Sequence, residues 1–249
     1  MIRSDVTAVG TELQKTLNSL RANGFDARIA KNRIEAKELV LSSISKGTVV
    51  GAADSATIRQ LGIIEELERH GFQVLNPFTR ELTTDPAKTV ARDNISRQMF
   101  SCDVLVAGTN AITTDGKLVN VDAVGNRVAS MIFGPRKVFI IAGRNKIVSS
   151  VEEALYRIKN VIAPFHAGTK KFATPCAQTG KCSDCSAPKR ICSVTTIVEK
   201  KPWRTDVSLV LVDEDLGLGW DENWAEERIQ KIKSEYEEVT WTFASAKES

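Results

Sequence analysis

Short apolar segments that alternate with amphipathic helices are the feature of this sequence that most restricts its fold. The strands are predicted at residues 48–51, 72–75, 103–107, 137–141, 194–198 and 207–212. The spacing of apolar residues predicts helices at 56–70, 86–100, 124–131 and 150–160. Parallel strands need long, usually helical connections, and these cover both faces of the sheet. The alternation therefore indicates an α/β fold with a mainly parallel sheet flanked by helices.

The two ends of the chain are predicted to be helical. Apolar residues recur at helical spacing in residues 6–23 and 31–45, which a short extended link at 25–29 joins, and again in residues 222–236. An irregular strand pair is expected between residues 108 and 121. The predicted organisation is an N-terminal helical segment that packs on the core (1–46), an α/β domain (47–219), and a C-terminal helix and tail (220–249).

The charge of the chain excludes some classes of partner. The 249 residues include 34 basic and 31 acidic side chains, which gives a net charge of +3. This balance argues against nucleic acid or an anionic membrane as a partner. No run approaches the roughly 20 apolar residues of a membrane helix, and the first residues lack the apolar core of a signal peptide. We therefore expect a cytoplasmic protein with no membrane span, and sheet folds of this kind often form homodimers.

A cysteine-rich insertion, residues 162–193, interrupts the alternation and is expected to form a metal loop. Its cysteines follow the spacing Cys-x5-Cys-x2-Cys-x6-Cys and are Cys176, Cys182, Cys185 and Cys192. A Cys-x2-Cys pair lets two sulfurs reach one metal from a tight turn, and the flanking cysteines can complete a tetrahedral set. The pattern is compatible with a [4Fe–4S] cluster, which we favour, and with a structural Zn2+. It is also compatible with a redox disulfide between Cys182 and Cys185, and with a segment that holds no metal.

A group of small and polar residues follows the predicted strand at 103–107. The carboxyl ends of strands in open parallel sheets are where ligands bind. The guanidinium of Arg127 suits a carboxylate or phosphate, and Asp122 could act as an acid or a base. The Asn, Asp and Gly residues could instead serve only to form turns. The candidate residues are Gly108, Thr109, Asn110, Asp115, Asn120, Asp122, Asn126 and Arg127.

Two shorter segments could add groups to the same edge of the sheet. Residues 51–57 join a strand to a helix through small residues, and the amides at a helix N-terminus favour anions. Residues 144–146 follow the strand at 137–141 and could bring positive charge to an anionic ligand. The first segment could equally be an ordinary turn, and the second could carry only solvated loop charges. The residues concerned are Gly51, Ser55, Thr57, Arg144 and Lys146.

Three stretches of the sequence resemble the LUD-domain (lactate-utilisation) family. They are residues 51–62 (GAADSATIRQLG), 108–148 (GTNAITTDGKLVNVDAVGNRVASMIFGPRKVFIIAGRNKIV) and 174–202 (TPCAQTGKCSDCSAPKRICSVTTIVEKKP). The last stretch is similar to the cysteine-bearing members of that family. Together the stretches span most of residues 49–219, so the resemblance covers the predicted α/β domain.

The resemblance implies a fold related to sugar-phosphate isomerases, CoA transferases and 5-formyltetrahydrofolate cyclo-ligase. It also implies that small-residue loops and aspartate-bearing turns line a site for an anionic substrate. It further implies a role in lactate or related organic-acid metabolism beside iron–sulfur partner subunits. One departure limits the analogy, since the chain lacks the tandem cysteine motif of the larger lactate-utilisation subunits and could hold at most one four-cysteine cluster. The implied positions are Gly51, Ser55, Thr57, Gly108, Asn110, Asp115, Asn120 and Asp122.

Three functions are compatible with this sequence. The first, which we favour from the resemblance, is a subunit of an iron–sulfur-dependent oxidoreductase system for lactate or a related acid. The second is a stand-alone isomerase- or ligase-type enzyme on a small anionic metabolite, a carboxylate or phosphate, with a structural zinc. The third is a ligand-binding module without catalysis.

Overall fold

A six-stranded parallel sheet forms the centre of the computed structural model, which describes residues 2–244. The strand order is β1-β10-β7-β4-β2-β3, and each pairing is parallel. The predicted mainly parallel sheet is therefore confirmed. The strands of the chain are β1 (Asp26–Ala30), β2 (Val49–Ala52), β3 (Gln73–Leu75), β4 (Val104–Gly108), β5 (Ala111–Thr113), β6 (Leu118–Asp122), β7 (Lys137–Gly143), β8 (Ile147–Val148), β9 (Val194–Val198) and β10 (Asp206–Val212).

Helices cover both faces of this sheet, as the sequence predicts. The helices are α1 (Ile2–Ala22), α2 (Arg33–Leu41), α3 (Ala56–Leu61), α4 (Ile63–Arg69), α5 (Arg80–Thr84), α6 (Thr89–Gln98), α7 (Asn126–Ile132), α8 (Val151–Arg157), α9 (Ala163–Lys170), α10 (Pro175–Thr179) and α11 (Glu226–Glu238). A π-helical turn, Ile158–Ile162, joins α8 to α9. Within residues 2–244 we find no helix that is both long enough and apolar enough to span a bilayer.

The alternation of side chains along each central strand explains the two apolar layers. In β4, Leu105 and Ala107 belong to the layer under α1, whereas Val104 and Val106 belong to the layer under α2, α3 and α4. Successive strand residues point to opposite faces, so a strand covered on both sides must be apolar throughout. This is why the central strands read as continuous apolar runs in the sequence.

A second, four-stranded sheet stands beside the first, in the order β8-β5-β6-β9. Strands β5 and β6 form the antiparallel pair expected between residues 108 and 121. Strand β9, which the sequence also predicts, extends this second sheet by pairing antiparallel with β6. Residues of α8, α11 and the π turn pack against it in a third apolar cluster. Residues of β6 and β9 in this sheet form one wall of the cavity that is described below.

Three local predictions need correction. The extended link at residues 25–29 is the edge strand β1, whose Ala27 and Ala30 are buried while Asp26 is exposed. The helix predicted at 56–70 is two helices, because Gly62 adopts a left-handed conformation with φ of 62° between α3 and α4. The insertion at 162–193 is helical over most of its first half, in α9 and α10. Both of these helices have a proline in the first turn, where proline favours a helix start rather than a loop.

Candidate functional site

A cavity of about 890 Å3 lies where the carboxyl ends of β2 and β4 face the second sheet. Residues of α3, α6, α7, the π turn, α9 and α11 also line it. Its position agrees with the rule that ligands bind at the carboxyl ends of parallel strands. Eight of the predicted site residues line it: Ser55, Gly108, Thr109, Asn110, Asp122, Asn126, Arg127 and Lys146.

Arg127 uses its guanidinium to join the end of β4, the link between β4 and β5, and the end of β6. Nη1 donates to the Gly108 carbonyl (3.2 Å) and to Oδ1 of Asn120 (2.8 Å). Nη2 donates to Oδ1 of Asn110 (3.0 Å) and to the Val121 carbonyl (2.8 Å). Nε lies 3.4 Å from Oδ2 of the Asp122 carboxylate. Each nitrogen of the guanidinium therefore already faces a protein acceptor, and an anionic ligand would have to displace one of them.

Asp122 and Asn120 serve this same arrangement. Oδ1 of Asp122 accepts from the amides of Val124 and Gly125, which shapes the turn into α7. Oδ1 of Asn120 accepts from the Thr109 hydroxyl and the Asn110 amide as well as from Arg127. Asn120 is fully buried behind the lining. The polar residues after β4 are therefore tied to one another, and they set the shape of the cavity before any ligand is present.

Lys146 differs from Arg127 in having a single protein acceptor. Its ammonium lines the cavity, its side chain is 6% exposed, and Nζ donates to the Thr109 carbonyl (2.9 Å). Among the side chains that the structure describes, residues 10–244, no carboxylate forms an ion pair with Nζ. Burial, with the nearby positive charge of Arg127, lowers the pKa of Lys146 from its ordinary 10.5 to about 7.

The backbone around Lys146 explains why this side chain points inward. Gly143 ends β7 in close contact with the 213–219 segment, where a Cβ atom would meet the Leu216 nitrogen at 2.4 Å. Gly217, with φ of 66°, passes so near that a Cβ would lie 2.4 Å from Oγ1 of Thr57 and 3.1 Å from Nζ of Lys146. A glycine is needed at both positions because larger residues would clash. The tight turn after β7 therefore buries Lys146 beneath the segment that contains Gly217.

A second buried cation, Lys170, lies across the cavity and is fully paired. Its side chain is 2% exposed and Nζ is 2.8 Å from Oδ2 of Asp54. Arg59 contacts the other oxygen of Asp54 at 2.6 Å. Burial by itself would raise the pKa of Asp54, but the charges of Lys170 and Arg59 outweigh it and hold that pKa well below its usual range. Nζ of Lys170 also lies 3.8 Å from the ring centre of Phe243.

His166 and Tyr236 form a neutral pair beside this network. Nδ1 of His166 is hydrogen-bonded to the Tyr236 hydroxyl, and the imidazole stacks on Phe172. Burial and the positive charge of Lys170 lower the pKa of His166 to about 3. The imidazole is therefore uncharged at neutral pH. The structure places His166 in the lining of the cavity.

Five of the predicted site residues lie outside the cavity lining. Asn120 is behind it, and Gly51 is packed against Cys102 in the core. Thr57 is buried on α3, and Asp115 pairs with Lys117 at the far end of the second sheet. Arg144 faces away from the cavity and pairs with Asp213 and Asp215. Of the two basic residues after β7, the structure therefore brings only Lys146 to the site.

Sequence reasoning does not identify the network of Asp54, Arg59 and Lys170. A usable signal is present, because His166 and Lys170 are four residues apart and share one face of a helix. The composition of their segment predicts an irregular insertion. Since no helix is predicted there, the spacing of four residues gives no reason to expect that the two side chains lie together. Asp54 stands in the small-residue turn after β2, where the sequence draws attention to the backbone amides rather than to the carboxylate.

The four cysteines of the insertion are half-buried, free thiols. Arg190 crosses their segment, and its guanidinium contacts the Cys185 carbonyl and the sulfur of Cys192. Over residues 2–244, no three His, Cys, Asp or Glu side chains are gathered closely enough to hold a metal. The thiols are chemically suitable for zinc or an iron–sulfur cluster, but their arrangement does not form such a site. Ile191 and Val194, on either side of Cys192 in this segment, line the cavity.

Comparison with known proteins identifies the family of the chain. The similar solved structures include a DUF162 family protein from Deinococcus radiodurans and ribose 5-phosphate isomerase from Plasmodium falciparum. The first is 13% identical, with a TM-score of 0.48 over 82% of this chain and 98% of that one. The second is 14% identical, with a TM-score of 0.31 over 47% of this chain and 52% of the other. No curated protein matches. The sequence model of the LUD domain matches residues 13–212, most of the chain, and the protein therefore belongs to the LUD-domain family.

Proposed function

We propose that the cavity binds a small organic anion, with a carboxylate or phosphate group at Lys146, and that the chain acts in the use of lactate or a related organic acid. The observation that supports the anion site is the buried ammonium of Lys146, which has no acidic partner among the described residues. The organic-acid role is proposed from the resemblance to lactate-utilisation proteins, and membership of the LUD-domain family supports it. The proposal therefore combines an anion site, argued from the structure, with a metabolic role, argued from the family.

The energetic argument depends on what a buried ammonium needs. A charge removed from water is costly unless an opposite charge and hydrogen bonds compensate it. Lys170 has this compensation from Asp54, whereas Lys146 has only the Thr109 carbonyl. An anionic group of a ligand would supply the missing charge. Arg127 is less suited to this role, because its donors already face protein acceptors, although its charge adds to the positive potential of the cavity.

The test is calorimetric titration of the whole chain at pH 6 with lactate, pyruvate and inorganic phosphate. Binding of at least one of them is expected, and Lys146→Met should weaken it at least tenfold. Lys231→Met is the matched control, because Lys231 is exposed on α11 and lies outside the cavity lining. Absence of binding, or equal binding by Lys146→Met, would contradict the proposal.

The anion site also separates the three functions that the sequence allows. A subunit of an iron–sulfur-dependent oxidoreductase should reduce an artificial electron acceptor when the bound acid is oxidised. A stand-alone isomerase or ligase would convert the bound anion without such an acceptor. A binding module would hold the anion and release it unchanged.

We propose a metal as a second function of the insertion, with a [4Fe–4S] cluster favoured over Zn2+. This rests on the spacing of Cys176, Cys182, Cys185 and Cys192, and the segment would have to close around the metal, since metal binding commonly organises its own ligands. Metal analysis after purification without oxygen tests it. About four irons per chain indicate a cluster and one zinc a structural site. Cys182→Ser should release either metal, and a metal-free wild-type chain would exclude both.

A further inference from the structure

The cavity is much larger than a three-carbon acid. Cavities of roughly 300–1,000 Å3 enclose ligands of drug size. At about 890 Å3, this one lies near the upper end of that range. A molecule such as lactate would occupy only a small part of the volume near Lys146. We therefore expect a larger ligand, whose remaining atoms fill the rest of the cavity.

The lining next to Lys146 is apolar. Leu218 follows Gly217, whose backbone contacts the Lys146 side chain, and Leu218 belongs to the same apolar cluster as Ile158 and Ile162. All three of these aliphatic residues line the cavity. Rings from three further elements, those of Phe172, Tyr236 and Phe243, also line it. The charged side chains of Asp54, Arg59 and Lys170 also line the cavity, but they pair with one another. A ligand that extends from Lys146 along the aliphatic and aromatic residues therefore meets mainly hydrocarbon.

The apolar lining continues to the opening of the cavity. Phe100, Val124 and Ile132 line the cavity and are nevertheless exposed, so they lie where it opens to solvent. Val124 is 82% exposed. Single exposed apolar residues are ordinary, but several around one opening are typical of a surface that contacts an apolar ligand.

We propose that the ligand is an amphipathic monocarboxylic acid, with its carboxylate at Lys146 and an apolar chain that runs from Leu218 to the opening near Val124. The position of the carboxylate rests on the function proposed above, whereas the apolar chain rests on the size and lining of the cavity. The charged residues of α6 at the cavity, Arg92, Asp93 and Arg97, include both signs and so do not define a second anion site.

The experiment is calorimetric titration of the whole chain at pH 6 with acetate, butyrate, hexanoate and octanoate. Each additional buried methylene should lower the dissociation constant about fourfold, which corresponds to about 0.8 kcal/mol. The dicarboxylate with the same number of carbons as octanoate should bind more weakly than octanoate, because its second charge would enter an apolar region. Equal affinities along the series, or a preference for the dicarboxylate, would overturn the proposal.

A pair of surface variants checks the path of the chain. Val124→Ser removes an apolar group from the opening and should weaken octanoate severalfold without changing butyrate. Phe133→Ser is the matched control, because Phe133 is 68% exposed but lies outside the cavity lining. Unchanged octanoate affinity in Val124→Ser, or an equal loss in the control, would contradict the path.

The outcomes separate this proposal from the anion site. If Lys146→Met loses every acid and chain length has no effect, the anion site stands and the amphipathic ligand is wrong. If long acids bind and Lys146→Met binds them equally, the apolar lining acts without Lys146, and the placement of the carboxylate is wrong. If none of the acids in this series binds, this proposal is wrong, and the titration with lactate, pyruvate and phosphate decides the anion site.

Discussion

Two buried lysines face the same cavity, and their surroundings differ. Lys170 lies against the Asp54 carboxylate and the Phe243 ring, and Asp54 is shared with Arg59. Lys146 has one neutral acceptor, the Thr109 carbonyl. The first ammonium is compensated by the protein, and the second is not. Burial alone therefore does not mark a functional cation, because the partner decides whether the charge supports the fold or is left for a ligand.

The largest expected effect is that of removing the compensated charge. Lys170→Met should lower the free energy of unfolding by about 3 kcal/mol, because it leaves the buried Asp54 carboxylate with Arg59 alone. Urea denaturation at pH 7 measures this difference. The double variant Asp54→Asn/Lys170→Met should recover part of the loss. A single variant as stable as the wild type would show that Lys170 and Asp54 are not a stabilising pair.

Removing the uncompensated charge of Lys146 should stabilise the protein, whereas removing the compensated charge of Lys170 should destabilise it. The pKa of Lys146 is about 7 in the folded chain and 10.5 when unfolded, so the unfolded state holds the proton more tightly. Lys146→Met should therefore raise the free energy of unfolding, by about 2 kcal/mol at pH 6. The difference in pKa corresponds to about 5 kcal/mol, and loss of the charged hydrogen bond to the Thr109 carbonyl offsets about 3 kcal/mol of it. Wild-type stability rises as the pH increases above 7, so the advantage of the variant should shrink over that range. Urea denaturation at pH 6 and pH 9 tests this, and a destabilised variant at pH 6 would contradict it.

The protonation of Lys146 should also control anion binding. Only the charged ammonium attracts an anion, so the affinity for a carboxylate should be constant below pH 7 and fall by up to about tenfold per unit above it. Binding should also take up a proton, because the ligand raises the pKa of Lys146. Titration in buffers of different ionisation enthalpy measures that uptake directly. An affinity that does not change between pH 6 and pH 9 would exclude Lys146 as the anchor.

The smallest expected effect concerns the ring over Lys170. Phe243→Leu removes the contact between Nζ and the aromatic face, at 3.8 Å from the ring centre, and should cost about 1 kcal/mol. The same substitution in the Lys170→Met background should cost less, since no ammonium is left to contact the ring. A double-mutant cycle isolates the coupling between the two side chains. A coupling energy near zero would leave Phe243 with a packing role alone.

Local patterns in the sequence are enough to predict much of the fold. Strands β4, β7 and β10 are continuous apolar runs, and Ser55 and Ser150 cap helices where such residues are expected. Each of these signals depends on a few neighbouring residues, so it can be recognised without knowing how the elements pack. Strand β1 is less clear, because an edge strand with Asp26 and Arg28 on its exposed side lacks an apolar run.

The sequence by itself determined the α/β class, the LUD-domain family and the polar residues after β4, because periodicity, caps and motifs are encoded locally. Only the tertiary structure decided which cation is free to meet a ligand. Lys170 and Asp54 are 116 positions apart, and Arg127 reaches acceptors at the end of β4, in the link between β4 and β5, and at the end of β6. Whether a buried charge is paired depends on residues that packing brings together from distant parts of the chain. No local pattern distinguishes Lys146 from Lys170. Their partners in the folded chain do, because Lys170 lies beside the Asp54 carboxylate and Lys146 beside the Thr109 carbonyl.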